Sequence, residues 1–191
     1  MTVNEYESAK EKYEFLYNQK VDLVDSKKNL ETLIKEIEDV VKNSFKEAYD
    51  EIDKNFNYMC KEILNNSIGN LSLLDETDLL ESGVELMVKF KNKKYQSLSL
   101  LSGGEKSMVA VALIMAIFMY KPSPFTFFDE IEAALDESNT KRLLRKLKEF
   151  TDRSQFILIT HNKHTMKESD QLYGVTMNKE IGESKILSVV L

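Results

Sequence analysis

The sequence contains one cysteine, Cys60, and two histidines in 191 residues. A single cysteine excludes a disulfide bond within the chain, and no second cysteine or histidine stands near it at the spacing of a zinc site. Structural disulfides are typical of oxidising compartments, so their exclusion favours a reducing one. We therefore expect a cytoplasmic protein.

The sequence also lacks a hydrophobic run long enough to cross a membrane. Its longest apolar run, residues 108–120, has thirteen residues, whereas a membrane-spanning helix needs about 20. The first fifteen residues have neither the basic start nor the apolar core of a signal peptide. We expect a buried helix over the apolar run and no membrane partner.

The charge balance gives no overall basic surface for nucleic acid. The net charge is -6, from 32 acidic and 26 basic side chains, so any contact with nucleic acid would need a local patch. The strongest local candidate is "KFKNKK", residues 89–94, which we interpret as a solvated turn.

Glycine is scarce, with six in the chain, yet Gly103 and Gly104 stand together directly before the apolar run. Ser102 precedes them. At the first turn of a helix, backbone N–H groups and the helix dipole favour an anion, and two glycines remove the side chains that would keep a phosphate away. A glycine pair alone more often marks a turn than a binding site. The interpretation as a phosphate site therefore depends on further polar residues elsewhere in the chain.

The first third of the chain has the pattern of a coiled coil. Its apolar residues follow spacings of three, four and seven, which indicate a 3.5-residue period. They are Tyr6, Ala9, Tyr13, Leu16, Leu23, Leu30, Ile34, Ile37 and Val41. Lys20 and Lys27 interrupt this seam, so we expect a partner helix and not a homodimer.

From Val41 the apolar spacing changes to an eleven-residue repeat, which indicates a straighter helix that lies against a globular body. We predict one helix over residues 5–64, ended by the turn-forming residues 65–70. The chain then divides into a coiled-coil helix, residues 1–64, and an α/β domain, residues 65–191.

The second region alternates short strands and helices. We predict strands at residues 71–75 and 84–90, and then at 125–128, 156–160, 172–177 and 185–190. Helices are predicted at 105–120, 138–150 and 164–169. A strand, helix and strand in this order predict a parallel sheet with crossover helices.

Polar side chains follow two of these strands where each strand ends. Asp129 and Glu130 follow one apolar strand, and His161 follows the next. Ligands bind outside the carboxyl ends of parallel strands, so these three side chains should gather at one edge. The first acid suits Mg²⁺ and the second suits a base that activates water. Two surface acids at a strand end are the plain alternative.

A complete nucleotide site is absent from the sequence. No G-x-x-x-x-G-K-[ST] occurs, so the chain has no loop to cradle phosphates and no lysine to reach the γ phosphate. We therefore expect this chain alone to be inactive toward ATP.

The ordered set "LSLLSGGEKS", "PFTFFDEIEAALDE", "FILITHNKHTM" and "DQLYGVTM" resembles the C-terminal half of the head of a bacterial structural maintenance of chromosomes (SMC) protein. The resemblance implies the C-terminal lobe of an ABC-type P-loop ATPase head, preceded by a coiled-coil neck helix. In that family the Walker A half lies at the far N-terminus, beyond a long coiled coil and a hinge. This arrangement would explain both the missing loop and the partnerless helix.

The resemblance implies roles for individual residues. Asp129 matches the Walker B aspartate near Mg²⁺, Glu130 the catalytic glutamate and His161 the switch histidine. Asp136, with Ala134 and Leu135, matches the D-loop at the interface between heads. The signature that contacts ATP on the opposite head matches Ser102, Gly103, Gly104 and Glu105. His164 matches no motif and is expected to be a surface or capping residue.

The resemblance also implies partners: a Walker A half-head, a second SMC head, a kleisin subunit, and DNA through the full complex, in the cytoplasm at the nucleoid. The implied activity is ATP hydrolysis that drives head engagement in chromosome condensation and segregation. We further hypothesise that a kleisin helix packs on a stripe of the first helix. Its residues are Tyr6, Tyr13, Phe15, Tyr17, Leu23 and Val24.

Three other functions stay open on the sequence. An ABC transporter domain is less favoured because Glu105 and Ile131 stand where those domains usually have glutamine and proline. A DNA-repair head of the SMC-like type shares the coiled coil, but "DEIEAALDE" favours SMC. The third is a coiled-coil or kleisin interaction module without activity of its own.

Overall fold

The structure is a computed structural model that describes residues 3–75, 77–91, 93–178 and 182–189. The chain divides into two units, Met1–Glu47 and Ala48–Leu191. The second unit thus begins within the first helix. The predicted division of the chain at residue 64 stays a prediction.

The described residues form four α-helices and seven strands. The helices are α1 Val3–Ile63, α2 Gly103–Tyr120, α3 Glu137–Glu149 and α4 Lys163–Glu168, with a 3₁₀ turn at Leu98–Leu100 before α2. The strands are β1 Ile68–Leu73, β2 Val84–Lys89, β3 Gln96–Ser97, β4 Phe125–Asp129, β5 Gln155–Ile159, β6 Leu172–Asn178 and β7 Glu183–Val189. The predicted order of helices and strands is confirmed for the described residues, and the sequence pattern missed only β3 and the 3₁₀ turn. Residue 190, the last of the predicted strand 185–190, lies outside the described residues.

In the first unit, α1 is a helix whose described side chains are almost all exposed. Its seam residues are among them: Leu23 is 70% exposed and Ile37 is 53% exposed. A lone helix cannot bury such a stripe on itself. The exposure agrees with the sequence expectation that this part of the helix needs a partner.

In the second unit, the end of α1 is buried. Phe56, Met59, Cys60 and Ile63 are fully buried, and burial raises the pKa of the Cys60 thiol to about 12. The helix ends where Asn65 and its neighbour adopt left-handed backbone angles, which asparagine tolerates better than most residues. The predicted end of the helix before residue 65 is confirmed, but residues 68–70, predicted to belong to the turn, lie in strand β1.

Strand β1 passes so close to α1 that one position requires glycine. A Cβ atom at Gly69 would lie 2.7 Å from a ring carbon of Phe56 and would also collide with the sulfur of Cys60. The absence of a side chain lets the strand contact the helix directly. Asp53 strengthens the contact by accepting a hydrogen bond of 2.5 Å from the backbone N–H of Leu71.

The strands form three small sheets. β1, β2 and β3 are antiparallel, with Leu71 opposite Leu86, and β6 and β7 are antiparallel, with Val175 opposite Ile186. β4 and β5 are parallel, with Phe127 opposite Ile157, and α3 is the crossover between them. The parallel pairing is confirmed for this pair, while the other strands pair antiparallel.

Helix α2 buries one of its faces in the core. By length and composition alone it is the one helix among the described residues that could cross a membrane. Its buried side chains, however, pack with those of α1, α3 and β4, as in a core helix of a globular domain. They are Val109, Val111, Ala112, Met115, Ala116 and Phe118. The prediction of a buried helix is confirmed for this face only, because Ile114, Ile117 and Tyr120 are 40–46% exposed.

A buried lysine joins α3 to the end of α1. Lys146 is 4% exposed, and its ammonium lies 2.8 Å from carboxylate oxygens of both Glu62 and Glu149. It also donates to the Tyr58 hydroxyl at 2.9 Å. Burial lowers the pKa of Lys146, but these hydrogen bonds more than offset that effect, so its pKa lies above the ordinary value. The lysine therefore stays charged and fixes the two helices together.

Candidate functional site

The parallel strands bring two of the predicted residues into contact. Asp129 ends β4, Glu130 follows it, and His161 lies two residues beyond the end of β5. The imidazole Nδ1 of His161 is 3.2 Å from Glu130 Oε1. Both side chains are exposed, at 78% and 53%. The sheet edge therefore presents an acid and an imidazole that can share or pass a proton.

The backbone of Glu130 adopts an unusual conformation. Its φ is 44°, in the left-handed region that costs a non-glycine residue about 1–2 kcal/mol. Two hydrogen bonds of 2.9 Å hold it there: its N–H donates to the Ile159 carbonyl, and its carbonyl accepts from Ala133 N–H. Non-glycine residues in this region are concentrated at functional sites. From this turn the side chain of Glu130 contacts His161.

Ser102 is the N-cap of α2 and forms a capping box with Glu105. The Ser102 Oγ accepts from the Glu105 N–H at 3.5 Å, and Glu105 Oε2 accepts from the Ser102 N–H and hydroxyl at 3.1 and 2.9 Å. Such a reciprocal pair satisfies N–H groups that the first helical turn leaves free. The Ser102 hydroxyl is thus held in place at the helix start.

The two glycines have different surroundings. A Cβ at Gly103 would meet nothing within 4 Å, so the space before the helix is open there. A Cβ at Gly104 would lie 3.7 Å from the Ala134 carbonyl oxygen, which brings the start of α2 next to residues 134–136. The structure therefore places the predicted signature beside the predicted D-loop.

Asp136 has a structural role besides the predicted one. It is the N-cap of α3, and its carboxylate accepts a hydrogen bond of 2.8 Å from the Asn139 N–H. No hydrogen bond joins Ser102 or Asp136 to Glu130 or His161 in the ranges that the structure describes. The predicted residues therefore form two groups, one at the sheet edge and one at the helix starts.

Sequence reasoning missed Lys93, which it placed in a solvated turn. Its ammonium is 2.9 Å from Glu105 Oε1 and 5.4 Å from the centre of the Phe90 ring. The hydrogen bond from Lys93, with those from Ser102, holds the pKa of Glu105 below its ordinary value. No motif in the sequence signals this pairing, because the lysine lies twelve residues before the acid.

Sequence reasoning also missed Glu132, a buried acid between the D-loop and Glu130. It is 6% exposed and accepts hydrogen bonds from the hydroxyls of Thr160 and Thr165. His164, predicted to be a surface or capping residue, lies 3.2 Å from a carboxylate oxygen of Glu137. Its backbone N–H donates to the Asn162 side chain that caps α4.

Nearly the whole chain matches one protein-family model. The family model described as "RecF/RecN/SMC N terminal domain" matches residues 3–183. One solved structure comes from work on the ATP-driven dimerization and DNA-stimulated activation of SMC ATPases. Its sequence is 34% identical to this chain, and the two structures superpose with a TM-score of 0.71. The match covers 78% of this chain and 89% of that one. The chain belongs to the SMC family.

Curated SMC relatives are more similar in sequence. The chromosome partition protein Smc of Fusobacterium nucleatum is 60% identical over 188 residues, and that of Bacillus subtilis is 42% identical over 190. The matches cover 98% and 100% of this chain but only 16% of each relative. The chain is therefore similar to one part of a bacterial SMC chromosome partition protein.

A second solved structure supports the fold over nearly the whole chain. The Smc head domain of Pyrococcus furiosus, with an extended coiled coil and bound to the C-terminal domain of ScpA, is 34% identical with a TM-score of 0.79. The match covers 98% of this chain and 47% of that one. The expected α/β head fold with a long N-terminal helix, of the ABC-type SMC ATPase family, is confirmed.

Proposed function

We propose that this chain is the C-terminal half of a bacterial SMC head and forms an ATPase only with a Walker A half and a second head. One observation carries the proposal: the parallel sheet has two strands and one uncovered apolar face. Parallel sheets are normally covered on both faces. Here the outward residues are 36–61% exposed: Phe125, Phe127, Ile157 and Ile159.

The opposite face of the same sheet shows what a covered face looks like. Phe128 is 8% exposed and belongs to the core, and Phe156 and Leu158 pack against that core. Both faces have apolar side chains of similar size, so the sequence is suited to burial on both sides. A half-head that carries the G-x-x-x-x-G-K-[ST] loop, which this chain lacks, would supply the missing cover.

In the assembled head, Glu130 would orient and deprotonate the attacking water, and His161 would hold Glu130 and sense the γ phosphate. Asp129 would bind Mg²⁺. A single carboxylate at a strand end fits this ion, which proteins often bind through one or two carboxylates together with phosphates and water. No cluster of three or more metal-binding side chains occurs among residues 3–75, 77–91, 93–178 and 182–189. Bound Mg²⁺ would neutralise phosphate charge.

The start of α2 would serve the nucleotide of a second head. Ser102, Gly103, Gly104 and Glu105 present a capped helix N-terminus with open space in front of Gly103, which suits a phosphate. Residues 134–136, next to Gly104, would lie at the same interface. The two groups of predicted residues would then act on two different ATP molecules.

The larger complex is part of the proposal. The Pyrococcus furiosus head is bound to ScpA, and we propose that this chain's protein likewise binds a kleisin subunit and acts on DNA in the nucleoid of a bacterial cytoplasm. The curated relatives are named for chromosome partition, and we propose the same process for this chain's protein. ATP-driven head engagement would be the contribution of this chain.

The experiment combines this chain with a separately expressed half-head that carries the Walker A loop. Together they should release phosphate from ATP, whereas this chain alone should neither hydrolyse ATP nor bind it at millimolar concentration by calorimetry. Glu130→Gln should lower hydrolysis roughly 10²-fold or more and leave ATP bound and heads paired, because the side chain keeps its shape but loses the base. Hydrolysis by this chain alone, or by the Gln variant, would contradict the proposal.

A further inference from the structure

A buried carboxylate joins the two backbone segments that carry the candidate catalytic pair. Glu132 is 6% exposed, although Glu130, Ala133 and Asp136 around it are exposed. Burial of an ionisable side chain is unfavourable unless hydrogen bonds or charges compensate it. The partners of Glu132 therefore indicate what its burial achieves.

Those partners stand on both sides of His161. Thr160, directly before the histidine, donates its hydroxyl to Glu132 Oε1, and the hydroxyl of Thr165 on α4 donates to the same oxygen at 3.0 Å. Thr165 is 2% exposed. The Thr160 Oγ1 also accepts a hydrogen bond of 2.9 Å from the Asn162 N–H. One carboxylate oxygen thus holds the backbone before and after His161.

The other end of the connection is the turn of Glu130. Ala133 N–H donates to the Glu130 carbonyl and Leu135 N–H to the Glu132 carbonyl, each at 2.9 Å. This turn also contacts the end of β5, because Glu130 N–H donates to the Ile159 carbonyl. The segment that carries Glu130 and the segment that carries His161 are therefore joined twice. The backbone bond runs from Glu130 to Ile159, and the side-chain bond runs from Thr160 to Glu132.

Neither candidate catalytic side chain is held by packing. His161 is 78% exposed and Glu130 is 53% exposed, yet their polar atoms are 3.2 Å apart. Their separation must then be set mainly by the backbone segments beneath them. We propose that Glu132 is a positioning residue, whose acceptance of the Thr160 and Thr165 hydrogen bonds fixes His161 against Glu130. This inference rests on the proposed function of that pair in ATP hydrolysis.

The first test measures the pair directly, without nucleotide. The chain has two histidines, so its ring NMR signals are simple to assign. Glu130→Gln should shift the ring signals of His161. The shift should be clearly smaller when Glu132→Met is also present. In that variant His161 and Glu130 are no longer held in contact, so a change at Glu130 has less effect on the His161 ring. Glu132→Gln keeps an Oε1 that can accept both hydroxyls and should preserve the coupling.

A matched control is available five residues away. Glu137→Met is the same substitution at an exposed acid whose histidine partner is His164, at 3.2 Å. It should move the His164 signals and leave the coupling of His161 to Glu130 unchanged. Unchanged coupling in Glu132→Met, or equal loss in Glu132→Gln and Glu132→Met, would overturn the inference.

The second test uses the assembled head. Glu132→Met should lower kcat roughly ten- to a hundredfold with little change in KM for ATP, since misplacement of a catalytic group by about 1 Å has effects of that size. Glu132→Gln should keep most of the wild-type kcat. Where Glu132→Met fails to fold, Thr160→Val removes the donor next to His161 and should give the same loss.

The two proposals fail in different ways. Hydrolysis that persists in Glu130→Gln would refute the proposed function. A strong loss in Glu130→Gln together with wild-type kcat in Glu132→Met and Thr160→Val would refute the positioning role alone. A loss of thermal stability with wild-type kcat and coupling would make Glu132 a purely structural residue.

Discussion

Ser102 combines a structural and a proposed functional role on one hydroxyl. It caps α2 through Glu105, and we propose that it faces a phosphate of the opposite head. Ser102→Arg should prevent ATP-dependent pairing of heads while the Walker A half still binds ATP, because a long cation would fill the space before the helix. Loss of the cap should also lower stability by about 1 kcal/mol. Sedimentation of the Glu130→Gln head with ATP measures the pairing.

The control for this variant is Ser99→Arg, the same substitution on an exposed serine in the turn before α2. It should leave both ATP binding and head pairing intact. Paired heads in Ser102→Arg, or the loss of ATP binding together with pairing, would show that the assigned role of Ser102 is wrong.

Lys93 gives the capping box a defined pH dependence. Its hydrogen bond lowers the pKa of Glu105, so the folded state favours the deprotonated acid. The resulting stability is present above the ordinary Glu pKa of about 4.3 and is lost as pH falls through the lowered value. Lys93→Met should raise the pKa of Glu105 in an NMR titration. The stability difference should be at most about 1 kcal/mol, because the pair is partly exposed.

Lys94→Met serves as the comparison, since Lys94 is the adjacent exposed lysine. It should leave the Glu105 titration unchanged. An unshifted Glu105 pKa in Lys93→Met would mean that the ion pair does not form in solution, and a stability difference that persists at pH 2 would assign its effect to packing on Phe90.

The sequence is sufficient to predict the placement of residues that stand at strand ends and helix starts. Glu130 and His161 could be paired in advance because parallel strands end at one edge. The glycine pair marked the start of α2 for a similar local reason. Lys93 and Glu132 could not be found in this way. Their partners lie 12 and 28 residues away, and only the folded chain brings them together.

At the scale of elements, helix α1 shows how accurately the spacing of hydrophobic residues predicts the bounds of a long helix. Its predicted span, 5–64, differs from the observed Val3–Ile63 by one or two residues. A long periodic pattern averages over single exceptions such as Lys20. Strand β3 has two residues, too few for any period to appear. Its pairing depends on β2 and not on its own sequence.

The exposed part of α1 carries the hypothesis of kleisin binding. Leu23 is 70% exposed and Val24 is 57% exposed, and the stripe of six residues proposed for the kleisin includes both. Leu23→Glu or Val24→Glu should weaken kleisin binding at least about tenfold, since a charge in an apolar helix groove is strongly unfavourable. ATP-dependent head pairing should be unchanged. Calorimetry with the kleisin N-terminal domain measures the affinity.

Val40→Glu is a suitable control, because it places the same charge on an exposed residue about four turns further along the helix. It should leave kleisin affinity near the wild-type value. If all three variants bind the kleisin equally well, the stripe belongs to ordinary coiled-coil packing. If all three lose binding equally, the helix as a whole is affected and the assigned stripe is wrong.

At the scale of the whole molecule, the second unit has a well-formed core beside an uncovered sheet face. α2 and α3 bury one side of the parallel sheet together with the end of α1. The other side exposes four large apolar residues, of which Phe127 is 61% exposed. Such apolar area on one face is typical of a surface that another polypeptide covers.

This face gives a test that separates folding from assembly. Phe127→Lys should change the stability of the isolated chain by no more than about 0.5 kcal/mol, because the ring is already largely in water. The same variant should fail to co-purify with the Walker A half and should show no hydrolysis, because the lysine would be buried without a partner when the sheet is covered.

Leu74→Lys provides the matched control, since Leu74 is a 70% exposed leucine in the β1–β2 hairpin. It should fold, co-purify and hydrolyse ATP like the wild type. Co-purification is measured by pulling down a tagged Walker A half, and thermal melts of both variants establish that they are folded. A folded Phe127→Lys that still binds the half-head and hydrolyses ATP would place the missing half of the site elsewhere. The uncovered face would then need another partner, because four large apolar side chains on one face of a sheet are poorly suited to remain in water.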